Sequence, residues 1–182
     1  MDWITDCTNN YRVLHHMNTV RQYFVKRRRV RLVTALVLST LPAGAADVLW
    51  SGAPTGTLDW NTGGNWTGGV PVDSSADRAD LRIDWTDTPL LDLSAPVTMN
   101  GILFDDTGAA GDSTLTLGDG GNPANTLTLA GTAPSLAING STLIIGASIL
   151  GAADLNKSGA GTFVLSGANS YSGETNFGAG VI

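Results

Sequence analysis

The chain has 182 residues, 10 basic and 16 acidic side chains, a formal net charge of −6 and one cysteine, Cys7. Beyond Leu32 only Arg78, Arg82 and Lys157 are basic against fourteen acidic residues, so that stretch carries −11 and has no basic patch with which to hold nucleic acid or an anionic membrane. A lone cysteine excludes an internal disulfide, so stability must come from backbone pairing and packing.

The front of the chain reads as a leader. Met1 to His16 does not fit one, because it holds Asp2, Asp6, Cys7, His15 and His16. Met17 is therefore the expected start, with an extended n-region as the alternative. Lys26-Arg27-Arg28-Arg29-Val30-Arg31 is a basic cluster, followed by an apolar run from Leu32 to Thr40 and then Leu41-Pro42-Ala43-Gly44-Ala45. Ala43 and Ala45 present the small side chains that signal peptidase admits. This order defines a helical secretory leader over residues 1–45, with the Sec translocon and signal peptidase as partners during export. A membrane anchor is the rival. The uncharged stretch ends at Asp47 after about 15 residues, short of the roughly 20 that a span needs.

Residues 46–98 are rich in Trp and Asp. Trp50, Trp60, Trp66 and Trp85 all lie here, in a turn-rich setting that includes Asn61-Thr-Gly-Gly-Asn65 and Thr67-Gly-Gly-Val-Pro71. Two readings of Trp50, Trp60 and Trp66 are open. They form a cap over the apolar end of a strand stack, or an aromatic platform on which sugar rings stack. Ala79 to Ile83 and Leu90 to Met99 read as strands, punctuated by Asp73, Asp77, Asp80, Asp84, Asp87 and Asp92.

Residues 99–182 alternate more regularly. Gly101 to Phe104 is a strand entering a turn. Ser113 to Leu117, Asn125 to Leu129, Ser135 to Ile138 and Ser141 to Ile145 each place apolar side chains two apart, on one face. Gly118-Asp-Gly-Gly-Asn-Pro123 and Ala130-Gly-Thr-Ala-Pro134 are corners, and Ala147 to Asp154 leads onward. Further short β-prone runs, Thr162 to Leu165 and Thr175 to Phe177, sit between corners rich in Gly, Ser and Asn. No helical period of useful length follows the leader, so the class is all-β. Alternation alone serves a parallel β-helix and an antiparallel sandwich equally.

The last segment bears on that choice. Leu155, Lys157, Gly159, Gly161, Thr162, Leu165, Ser166, Gly167, Asn169, Tyr171, Gly173, Thr175 and Gly180 occupy the spaced positions of the autotransporter-associated β-strand repeat, also called the passenger-associated transport repeat. Residues 155–182 resemble one such repeat. Phe163, Phe177 and Ile182 replace other apolar residues at inward positions, and Gly178 stands where Asn is common. The resemblance implies a right-handed parallel β-helix and a secreted or bacterial cell-surface passenger whose repeat assists export, and the roughly 137 residues past the leader suffice for about five or six coils of about 20 to 25 residues each. Its partners would be further β-helix repeats of the same polypeptide and, at the surface, a host cell or glycan. With no closing cap after Ile182, the chain reads as the N-terminal part of a larger passenger, and its last coil is expected to fray or aggregate.

Chemistry is poorly supported. No His or Cys follows the leader, which leaves no Ser-His-Asp or Cys-His arrangement and no soft or imidazole zinc site. Asp84, Asp87, Asp105, Asp106 and Glu174 could supply a carboxylate pair, but Asp105 and Asp106 are neighbours and face opposite sides of a strand. Leu117-Gly-Asp119-Gly-Gly-Asn122 resembles a calcium nonapeptide, yet it occurs once where tandem copies are required. The expectation is a structural, adhesin-like stalk with no enzyme activity, cofactor or metal. The alternative is a fragment of a β-helical carbohydrate-active enzyme, or a carbohydrate-binding module using the tryptophans.

Overall fold

The computed structural model describes residues 46–71, 74–108 and 113–182. The leader, with Ala43 and Ala45, lies outside the described residues, as does Asp73. In chain order the strands are β1 (Asp47–Leu49), β2 (Thr57–Asp59), β3 (Arg78–Ile83), β4 (Leu90–Asp92), β5 (Val97–Met99), β6 (Gly101–Asp106) and β7 (Thr114–Gly118). They continue as β8 (Leu127–Leu129), β9 (Ser135–Asn139), β10 (Thr142–Ile145), β11 (Ile149–Leu150), β12 (Leu155–Ser158), β13 (Thr162–Leu165) and β14 (Thr175–Phe177). The one helical element among the described residues is a 3-10 turn, Gly63–Asn65.

These strands form three sheets: β1-β3-β6-β9-β12-β14, β2-β4-β7-β10-β13 and β5-β8-β11. Every strand-to-strand pairing is parallel. The chain visits the sheets in a fixed cycle. From β3 onward a strand of the first sheet is followed by one of the second, and β4, β7 and β10 are each followed by one of the third.

The two-residue period of a strand explains how such short elements hold. In β7 the buried residues are Leu115 and Leu117, with Thr114, Thr116 and Gly118 only partly covered. Parallel register then lines up like positions of successive strands. Leu58, Leu91, Leu117, Ile145 and Leu165 make one inward file. Leu115, Leu143 and Phe163 make a second, and Leu81, Phe104 and Ile138 a third. All of these side chains belong to or pack against one apolar cluster that draws on all three sheets.

Three sequence expectations are corrected. The run from Leu90 to Met99 is not one strand. It breaks at Ser94-Ala-Pro96 into β4 and β5, which lie in different sheets. Pro96 has no N–H for a ladder, and the N–H groups of Ser94 and Ala95 turn instead to Asn61 Oδ1 at 2.9 and 3.2 Å. The Trp-rich opening is more than turns, because it contains β1 and β2. The stretch from Ala147 to Asp154 is more than a connection, because it contains β11. The sheets also run across residue 98: β4 pairs with β7 and β5 with β8.

Candidate functional site

The repeat residues are brought together by the parallel register. Leu155 and Phe163 point inward and are buried, and Leu165 is half-buried against the same cluster. Asn169 Oδ1 accepts the Ile149 N–H at 2.8 Å, while Ser170 N and Ser172 N donate to the carbonyls of Ile149 and Gly151 at 2.9 Å each. The segment thus continues the ladder of β11 without regular strand geometry. Asn169→Ala is expected to orphan that amide and to cost about 1–2 kcal/mol in urea unfolding. Tyr171 packs on the cluster, and its hydroxyl meets Thr175 Oγ1 at 2.8 Å.

The glycines mark close approaches. A Cβ on Gly167 would stand 2.5 Å from the Ala147 carbonyl, and one on Gly173 would strike the backbone of Ala153. Gly161 is similarly pressed on Ser141 and Ile138. Gly159 and Gly180 have left-handed φ of 79° and 86°. Lys157, read as a structural repeat residue, is 2% exposed, and burial pulls its pKa below the usual lysine value. Sequence reasoning missed an amide ladder. Asn176 Nδ2 donates to Asn156 Oδ1 at 3.1 Å, and Asn156 Nδ2 to the Pro134 carbonyl at 2.9 Å. The signal was there as two asparagines 20 positions apart.

The tryptophans gather at the other end of the sheets. Trp50, Trp60, Trp66 and Trp85 are all buried. Trp50 meets Trp66 edge to face at a centroid distance of 4.9 Å, Trp60 meets Trp66 at 4.7 Å, and Trp50 meets Trp85 at 6.1 Å. Three indole N–H groups donate to the backbone: Trp50 to Ala53, Trp66 to Trp60 and Trp85 to Leu81. Trp60 Nε1 is buried without a partner among the described residues. No indole face in this cluster is open to a sugar ring.

This cluster also covers a sheet edge. β1 is the end strand of its sheet. Trp50 and Trp66 form an antiparallel bridge, and Thr67 N donates to the Leu49 carbonyl at 2.8 Å. The far end differs. On β14 and just beyond it, Phe177, Val181 and Ile182 are 49%, 55% and 55% exposed.

The acidic residues do not converge. Asp106 is buried and Asp105 half-buried, as their opposite parity requires. Asp84 and Asp87 line a shallow open groove, and Glu174 is exposed elsewhere. Asp80 is held below the usual carboxylate range by the hydrogen-bonded Arg82 guanidinium, 2.7 Å away. Among the described residues no three acidic, His or Cys side chains are placed to share a metal ion.

Among the described residues the protein is all-β, built of parallel sheets with almost no helix. Residues 155–182, the segment that packs at the β12–β14 end, match the family model described as the passenger-associated transport repeat. No curated protein and no solved structure matches the chain.

Proposed function

We propose that this chain is a structural passenger segment of an exported protein, wound as a right-handed parallel β-helix that serves as a stiff, non-catalytic stalk at the bacterial cell surface. The observation that carries the reading is the transport-associated repeat at 155–182, stacked in parallel register on strands that recur in a fixed three-sheet cycle. Parallel strands joined through other sheets need crossover connections, and a right-handed sense is the common solution. Paired side-chain files suit a repeating stack in which each turn contacts only its neighbours. The buried tryptophans and the edge bridge at Trp50 and Trp66 fit a cap. A sugar platform would require that cluster to open.

The basic and apolar leader, with Ala43 and Ala45 before the expected cut, supplies the route through the Sec translocon. Further repeats of the same polypeptide are the natural neighbours of the β14 edge. A host cell or glycan would be met through the stalk's displayed regions.

Production of the whole chain in a Gram-negative host tests this reading. The expected product starts at Ala46 by N-terminal sequencing and lies outside the cytoplasm. An uncut chain retained in the cytoplasm would overturn the export reading. Reducing-sugar release by the purified chain would overturn the non-catalytic one.

A further inference from the structure

Lys157 stands where the packing calls for an apolar residue. Parallel register places it in the inward file Val48, Ala79, Ile102, Leu136, Lys157 and Phe177. Its stem continues that file, as a long methylene chain can. Its ammonium has no carboxylate partner among the described residues. Nζ instead donates to three backbone carbonyls, those of Ser158 at 3.1 Å, Gly159 at 2.8 Å and Ala179 at 2.9 Å. The Phe177 ring centroid lies 5.6 Å away.

Three N–H groups meeting three carbonyls is a full match for a primary ammonium. Two of the acceptors adjoin Lys157 in sequence, and the third lies 22 positions later. The space for the charge comes from a missing side chain, because a Cβ on Gly180 would stand 2.8 Å from Nζ. The stretch that carries Ala179 is otherwise held by few bonds. Gly178 N donates to the Lys157 carbonyl at 2.8 Å, Val181 N to Gly161 at 3.3 Å, and Phe163 N to Val181 at 2.9 Å.

We propose that the carbonyls of Ser158, Gly159 and Ala179 form a primary-ammonium cage, and that Lys157, its tethered ligand, fastens residues 178–181 onto the preceding turn of chain. The device is independent of where the protein is exported. It joins Lys157, Gly159 and Gly180, three spaced positions of the repeat, in one physical unit. A methionine there keeps the bulk but leaves the three carbonyls unpaired. An arginine carries its donors in a planar fork that cannot converge on three oxygens around one nitrogen.

Amide hydrogen exchange on the full chain tests the cage. In Lys157→Met the Gly178 and Val181 amides are expected to exchange about tenfold faster or more, while β6 and β7 keep their protection. In Lys157→Ala added methylammonium is expected to restore protection at Gly178 and Val181, and tetramethylammonium, which has no N–H, is not. Native protection of both amides in Lys157→Met would overturn the proposal. So would equal effects of the two cations in Lys157→Ala. If Lys157→Met loosens β6 and β7 as well, the two-cation comparison in Lys157→Ala decides the matter by itself.

Discussion

Replacing Trp60 with alanine is expected to destabilise the protein by about 3–5 kcal/mol, seen as a lower urea midpoint at an unchanged slope. Trp60 has no exposed surface, and its ring packs 4.7 Å from that of Trp66. Its removal leaves a large cavity at the end of the stack, where β2 has no further strand to lean on. Against a typical total of about 5–15 kcal/mol, that is a large share. Trp60→Phe is expected to cost far less, because it also removes a buried indole N–H that has no acceptor among the described residues. Neither change is expected to alter retention on immobilised glycans. A Trp60→Ala protein with native stability and lost glycan retention would reverse the assignment of this cluster from cap to sugar platform.

Asp106→Ala is expected to cost about 2 kcal/mol. The carboxylate accepts the N–H groups of Trp85 at 3.2 Å, Gly108 at 3.0 Å and Ser113 at 3.2 Å. Alanine would orphan the Gly108 and Ser113 N–H groups, both part-buried, while the Trp85 N–H keeps the Ile83 carbonyl at 3.1 Å; an unpaired donor costs about 1–3 kcal/mol when buried and less when part-covered. The same geometry sets a pH dependence. Burial acts to raise the Asp106 pKa, but hydrogen bonds from Ser113, Gly108 and Trp85 together outweigh it, and the group sits below the usual carboxylate value. A depressed native pKa means the contribution is complete above the unfolded-state value of about 3.9 and is lost as pH falls through the lower native value. Asp80, paired with Arg82, has the same sign. Thermal midpoints recorded from neutral to acidic pH should therefore fall less steeply in Asp106→Ala than in the parent. Parallel curves for the two proteins would remove Asp106 from the account.

Much of the fold could be read from alternation, and the failures have physical causes. Thr142–Ile145, Thr162–Leu165 and Thr175–Phe177 were legible because each places β-branched, aromatic or apolar residues between flexible corners. β1 and β2 were not, because each is only three residues long among many turn formers and, unlike the equally short β14, lies outside the spaced pattern of the repeat. The break inside Leu90–Met99 was signalled by Pro96, but its partner Asn61 lies more than 30 residues upstream. At the repeat, the apolar positions and the glycines were visible as a pattern. The role of Lys157 was not, because one of its acceptors, the carbonyl of Ala179, has no side-chain signature. Backbone partners brought in by register leave no trace in composition.

The bridge between Trp50 and Trp66 has a consequence for association. Filaments built from identical units need a donor face and a matching acceptor face on every subunit. Here the β1 margin is already occupied by the molecule's own residues 65–67, running the opposite way. A second molecule arriving with its β14 margin would find no free row of amides to join.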